Sequence, residues 1–226
     1  MLAFDCRAHG KTTPLGAPEK VGFDSFADDL CHFLDHLDIA RAVVGGISMG
    51  AGVAANVALR YPGRVSGLVL SRPAWLEGPN LENSAPFCLI AALLRRYGPD
   101  EGKRLFEASE FYRESVEKAP DAAKSLLGQF DSPLAAERAI RLERMPLDAP
   151  YESLQRLESI TVPAIVLANR QDPVHPYSFG EAIARAIPGA VFREITAKSV
   201  DPVAHGDDVN SVLSTFLQQN FLQGSP

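Results

Sequence analysis

Ser48 stands in Gly46-Ile47-Ser48-Met49-Gly50, between the apolar run AVVGGI (42–47) and a stretch of small and apolar residues. A G-x-S-x-G turn carries a serine out of a strand and into a helix through a strained corner, which aims the hydroxyl out of the sheet. Glycines two positions to either side let the strand and helix backbones approach closely. The same turn puts the Met49 N–H at a helix N-terminus, where it can stabilise an oxyanion. A serine hydroxyl is a weak nucleophile and needs a base. His205 is the candidate base, and Asp172 is the candidate group to fix its tautomer and steady the imidazolium. The chemistry that these types suggest is acyl transfer through a covalent serine intermediate.

Each of these residues also has a plainer reading. Small residues are common in any strand-to-helix turn. Asp172 lies in NRQDPVHP, which reads equally as a turn opened by Asp-Pro. His205 could simply cap the helix that follows. The order Ser, Asp, His, with each member after a strand, favours the triad. The other histidines fit less well. His32 and His36, at i and i+4 on the polar face of one helix, have no evident third ligand, so no metal is expected. His175 shares Asp172's loop, three residues away, and His9 has no obvious acidic partner. Gly50-Ala51-Gly52-Val53-Ala54-Ala55 also matches a dinucleotide fingerprint, with Arg72 as a conceivable phosphate contact. Its glycines begin too late, inside the helix, where they read as close packing.

The elements that would position these residues alternate in kind. Residues 1–4 (MLAF), 42–47, 66–71, 162–169 and 190–196 read as strands. Helices are expected over 24–37, 49–60, 178–186 and 207–219. Phe26, Leu30, Phe33, Leu34 and Leu37 give the first helix its apolar stripe. Strand-helix alternation implies an α/β fold with a parallel sheet covered on both faces, and sites at the carboxyl ends of its strands. Residues 77–159 break the rhythm with helical runs such as FCLIAALLRRYG and AAERAIRLERM and no convincing strand. The layout is therefore a core of 1–76 and 160–226 with a helical insertion between them. Some of the insertion's apolar residues could face a cavity; most are expected to pack on each other.

The composition excludes several classes. The chain has 226 residues and a net charge of −6, which argues against nucleic acid or an anionic membrane as partner. Cys6, Cys31 and Cys88 have no metal or disulfide spacing and suit a reducing compartment, so a cytoplasmic location is expected. Residues 42–59 are 18 uncharged positions, but four glycines, Ser48 and Asn56 suit a buried strand-turn-helix better than a membrane span.

FDCRAHGKT (4–12), GGISMGAG, ANRQDPVHP and His205 together resemble the α/β-hydrolase family, including its esterase and enol-lactonase-like members. The first stretch is similar to the family's FDxRGHGxS, with Ala8 where glycine is usual. The resemblance implies a mostly parallel sheet, a helical cap over 77–159, and no cofactor. It implies hydrolysis of a small carboxylic ester or lactone through Ser48, His205 and Asp172, with Met49 in the oxyanion hole. C–C bond hydrolysis by the same triad and a non-catalytic binding protein stay open as alternatives. The family has three strands before FDxRGHG. This sequence starts at the fourth, which reads as an N-terminal truncation. Loss of the third strand would open strand edges and favour a homo-oligomer.

Overall fold

The computed structural model describes residues 1–12, 16–132 and 134–222. Four parallel strands, β1 (Ala42–Ile47), β2 (Val65–Ser71), β3 (Ala164–Ala168) and β4 (Val191–Glu194), lie side by side in chain order. Their register brings Ile47 beside Ser71, Ser71 beside Leu167, and Leu167 beside Arg193. The carboxyl ends are thus nearly flush, and the loops leaving them emerge along one rim.

Alternation along the strands fills two cores. Leu68, Leu70 and Val166 point to the face covered by α1 (Phe23–His36), α2 (Met49–Arg60) and α8 (Tyr177–Ala186), where they meet Phe23, Val53, Val57 and Ile183. Ile165 and Leu167 point the other way, onto Phe216 of α9 (Pro202–Leu217). A period of two with apolar residues on both faces is the pattern of a parallel strand covered on both sides. Small residues set the spacing on the first face: a Cβ on Gly52 would stand 2.5 Å from the Phe23 ring of α1. Gly52, the second glycine of the apparent dinucleotide fingerprint, therefore serves helix packing, here against a helix rather than a strand.

Two elements differ from the sequence expectation. Residues 1–4 form no strand: among the described residues β1 pairs only with β2, and Phe4 instead stacks on Phe33 of α1 with centroids 5.3 Å apart. Helix α9 begins at Pro202, five residues earlier than its apolar periodicity suggests. Asp201 caps it, accepting from the N–H groups of Val203 and Ala204, and Pro202 takes the first helical position.

The FDCRAHGKT stretch forms a tight turn. Asp5 accepts the Lys11 N–H, and Arg7 is held by both oxygens of Asp29 at 2.6 Å. Ala8 sits fully buried at φ 58°, the left-handed region that accounts for the glycine usual at this point.

Between β2 and β3 the chain is helical: α3 (Leu81–Glu107), α4 (Glu110–Lys118), α5 (Pro120–Leu127), α6 (Ala135–Arg138) and α7 (Ile140–Arg144). Gly98, at φ 74° and followed by Pro99, kinks α3. These helices bury a cluster of their own, with Ile90, Leu94, Phe106, Leu126, Phe130 and Leu142 at its centre.

Candidate active site

Ser48 lies between β1 and α2 with φ 56° and ψ −116°. For a residue with a Cβ this is a strained backbone. It is held by a hydrogen bond from the Ser48 N–H to the Ser71 carbonyl (3.0 Å) and by the Ser48 carbonyl accepting from Ala51 and Gly52. Gly46 makes the corner possible: a Cβ there would stand 2.7 Å from Gly50 Cα and closer still to the Gly50 carbonyl. Met49 opens α2, so its N–H belongs to the first turn, whose donors have no partner within the helix.

The hydroxyl of Ser48 meets His175 Nε2 at 2.7 Å, and His175 Nδ1 meets Asp172 Oδ1 at 2.8 Å. A carboxylate only accepts, so Nδ1 carries the proton and the Nε2 lone pair faces the serine O–H. Asp172 is well buried. Burial alone would raise its pKa, but the hydrogen bond and electrostatic attraction from His175 and the charge of Arg72 outweigh it and hold the carboxyl below its ordinary value. Arg72 reaches the second carboxylate oxygen at 3.3 Å from the end of β2. Engaged there, it does not serve as the phosphate contact of a dinucleotide site.

His205, the base expected from the sequence, stands elsewhere. The early start of α9 puts it in that helix's first turn, where Nδ1 donates to the Thr196 carbonyl at 2.8 Å. It does not line the cavity at Ser48. The structure thus joins Ser48 and Asp172 through His175 rather than His205. His9 does line that cavity. Its Nδ1 bonds the Arg7 carbonyl, and its pKa is pushed down to about 4, by burial first and then by the nearby charges of Arg141 and Arg138. Among the described residues no group of three His, Cys, Asp or Glu is placed to hold a metal, His32 and His36 included.

The cavity measures about 1080 Å³. Its floor is the strand rim, with Ser48, Met49, Arg72, Asp172 and His175. The helical segment adds Phe87, Leu126, Arg141 and Leu142 to its lining. A strained serine at a strand-to-helix corner, bonded to a histidine that is bonded to a carboxylate, is an arrangement suited to nucleophilic catalysis. The sequence pattern described as alpha/beta hydrolase fold matches residues 1–200. The chain belongs to the α/β-hydrolase fold family. The 3-oxoadipate enol-lactonase 2 of Acinetobacter baylyi is 25% identical over 221 residues, covering 96% of this α/β-hydrolase and 79% of that protein. The solved enol-lactonase of Burkholderia xenovorans LB400 matches with a TM-score of 0.70 at 24% identity, over 95% of this chain and 79% of that one. A thermophilic esterase from Thermogutta terrifontis matches with a TM-score of 0.68 at 23% identity, over 94% and 78%. At these identities the solved structures establish the fold. No helix among the described residues is long and apolar enough to cross a membrane.

Proposed function

We propose that this α/β-hydrolase cleaves a small carboxylic ester or lactone through an acyl-enzyme, with Ser48 as nucleophile, His175 as base and Asp172 as the group that orients it. The observation that carries the reading is the continuous Ser48–His175–Asp172 hydrogen-bond chain at 2.7 and 2.8 Å. As Ser48 Oγ attacks the carbonyl carbon, its proton passes to His175 Nε2. The imidazolium is steadied by ionised Asp172. The negative charge that develops on the carbonyl oxygen is met by the Met49 N–H at the start of α2. Collapse breaks the C–O bond, and His175 returns its proton to the leaving alkoxide. For a lactone this alkoxide stays tethered to the acyl group. Water, deprotonated by His175, then releases the acid and frees Ser48. The step needs no group beyond these residues and water. Residues 77–159 act in this reading as a cap that shapes the substrate pocket. The names of the enol-lactonase and esterase relatives support the choice of ester or lactone.

The test is covalent labelling. A fluorophosphonate should modify the wild-type protein at Ser48 and leave Ser48→Ala unmodified. Across a panel of esters and lactones, that variant should lose several orders of magnitude in kcat. Undiminished turnover by Ser48→Ala would remove the serine mechanism. Absence of labelling in the wild type would favour a binding protein.

A further inference from the structure

We infer that Arg141, which lines the same cavity as Ser48, seats a carboxylate carried by the substrate in addition to its ester or lactone group. The inference rests on the hydrolase reading above and names the substrate class for it.

Arg141 is 7% exposed and lines the cavity. Among the described residues its guanidinium has two partners, both neutral. One Nη donates to the Arg138 carbonyl at 3.2 Å and the other to Gln129 Oε1 at 2.6 Å. Gln129 is itself oriented, because its Nε2 donates to the Ser125 carbonyl. Among the described residues no carboxylate lies within ion-pair distance of Arg141, and its remaining N–H groups have no protein acceptor. A second guanidinium, that of Arg138, is close by and also buried; it donates to the Gly10 carbonyl. Burial first, and that neighbouring charge second, push the Arg141 pKa down to about 10, so it remains a cation at neutral pH.

A buried charge is normally paired, because leaving it uncompensated is costly. The other cations at the cavity are accounted for differently. Arg72 is paired with Asp172, while Lys124 and Lys198 are exposed and screened by water. Among the described residues that line the cavity, Arg141 is the one cation that combines burial, fixed orientation and unused donors. A planar guanidinium with two donors already pinned offers its free edge to a planar acceptor, and a carboxylate matches it in charge and in bidentate geometry. Arg141 also lies within electrostatic reach of His9 in the same cavity. Its charge therefore acts inside the pocket and not only within the helical segment.

The experiment separates binding from turnover. Glutaramate and pentanamide differ only by a carboxylate in place of a methyl group, and monomethyl glutarate and methyl pentanoate differ in the same way. By calorimetry the wild-type protein should bind glutaramate at least tenfold more tightly than pentanamide. Arg141→Gln should erase most of that preference, and Arg141→Lys should keep part of it. In kinetics the ratio of kcat/KM for monomethyl glutarate over methyl pentanoate should fall at least tenfold in Arg141→Gln, chiefly through KM. Equal binding of the two amides by the wild type overturns the inference, and so does an equal loss for both members of each pair in the variant. If Arg141→Gln does not fold, the wild-type preference and Arg141→Lys decide alone. Selective glutaramate binding without any ester turnover would sink the hydrolase reading and leave the anion site standing. Turnover of methyl pentanoate without preference for the acid would do the reverse.

Discussion

Oδ1 of Asp172 accepts the backbone N–H groups of Val174 and His175 as well as the His175 ring proton. The Asp-Pro turn folds the loop back on its own carboxylate, so an imidazole three residues away can both rest on Asp172 and reach Ser48. Two predictions belong to this scale. Asp172→Asn should fold and bind substrate, but its kcat should drop by about 10⁴, because an amide no longer fixes the productive tautomer or steadies the imidazolium. His175→Ala should lose ~10³-fold or more in kcat. His205→Ala should stay within about threefold and lose about 1 kcal/mol of stability with its bond to Thr196; the assay is steady-state kinetics with a melting curve for each variant. A mild His175→Ala and a dead His205→Ala would return the base to α9. Ser48 and Asp172 are legible in the sequence because glycine spacing and an Asp-Pro turn are local signals. The histidine is harder. Sharing a loop with Asp172 counts against His175 only if side chains three apart are taken to diverge, and an aspartate turn makes them converge. His205 looks free only while the Asp201-Pro202 helix start goes unread.

At the scale of elements, the strand-to-helix corner concentrates the constraint. A Cβ on Gly46 would collide with the backbone of Gly50, which cannot yield without breaking the first turn of α2. Gly46→Ala is therefore expected to cost about 2–4 kcal/mol in urea unfolding and to abolish labelling of Ser48. Gly50→Ala is the control: its added Cβ meets no atom within 4 Å, and the position is helical. It should be neutral or gain up to ~1 kcal/mol. If both alanines behave alike, the corner is not what the first glycine serves. Helices α1 and α8 are readable from periodicity because each buries a regular face, whereas α2 is buried continuously from Ala51 to Ala58 and is marked instead by the glycine corner before it and Pro62 after it. Residues 1–4 carry a strand's apolar signature, but a strand exists only by pairing, and among the described residues they pair with none: the free edge of β1 stays unpaired and Phe4 packs on Phe33 of α1 instead. The start of α9 lies outside its apolar stripe, so only the capping pair reveals it.

The whole molecule carries a net charge of −6, yet its cavity holds a buried guanidinium, and that field reaches His9. The consequence is a pH dependence of folding. His9 titrates near 6.5 in an unfolded chain and at about 4 in the native one, where burial and the charges of Arg141 and Arg138 oppose its protonation. As pH falls below about 6.5 the unfolded state takes up a proton that the native state refuses. Stability is therefore full above that value and lost progressively toward pH 4, by up to about 3 kcal/mol for His9 alone. Asp172 acts in a different window. Its folded pKa lies below the ordinary 3.8, so its contribution is present above that pH and is lost only as pH drops further. Between pH 6.5 and 4 the slope thus reports His9 rather than Asp172. Urea unfolding across this range should fall more steeply for the wild type than for His9→Gln, and parallel curves would show that the ring protonates freely in the native state. Arg141→Gln removes one of the opposing charges, so the His9 pKa should rise toward 6.5 and the loss over this range should shrink. A shift of that kind in a variant defined by its cavity wall would tie the stability of the whole fold to the same charge that is inferred to receive the substrate.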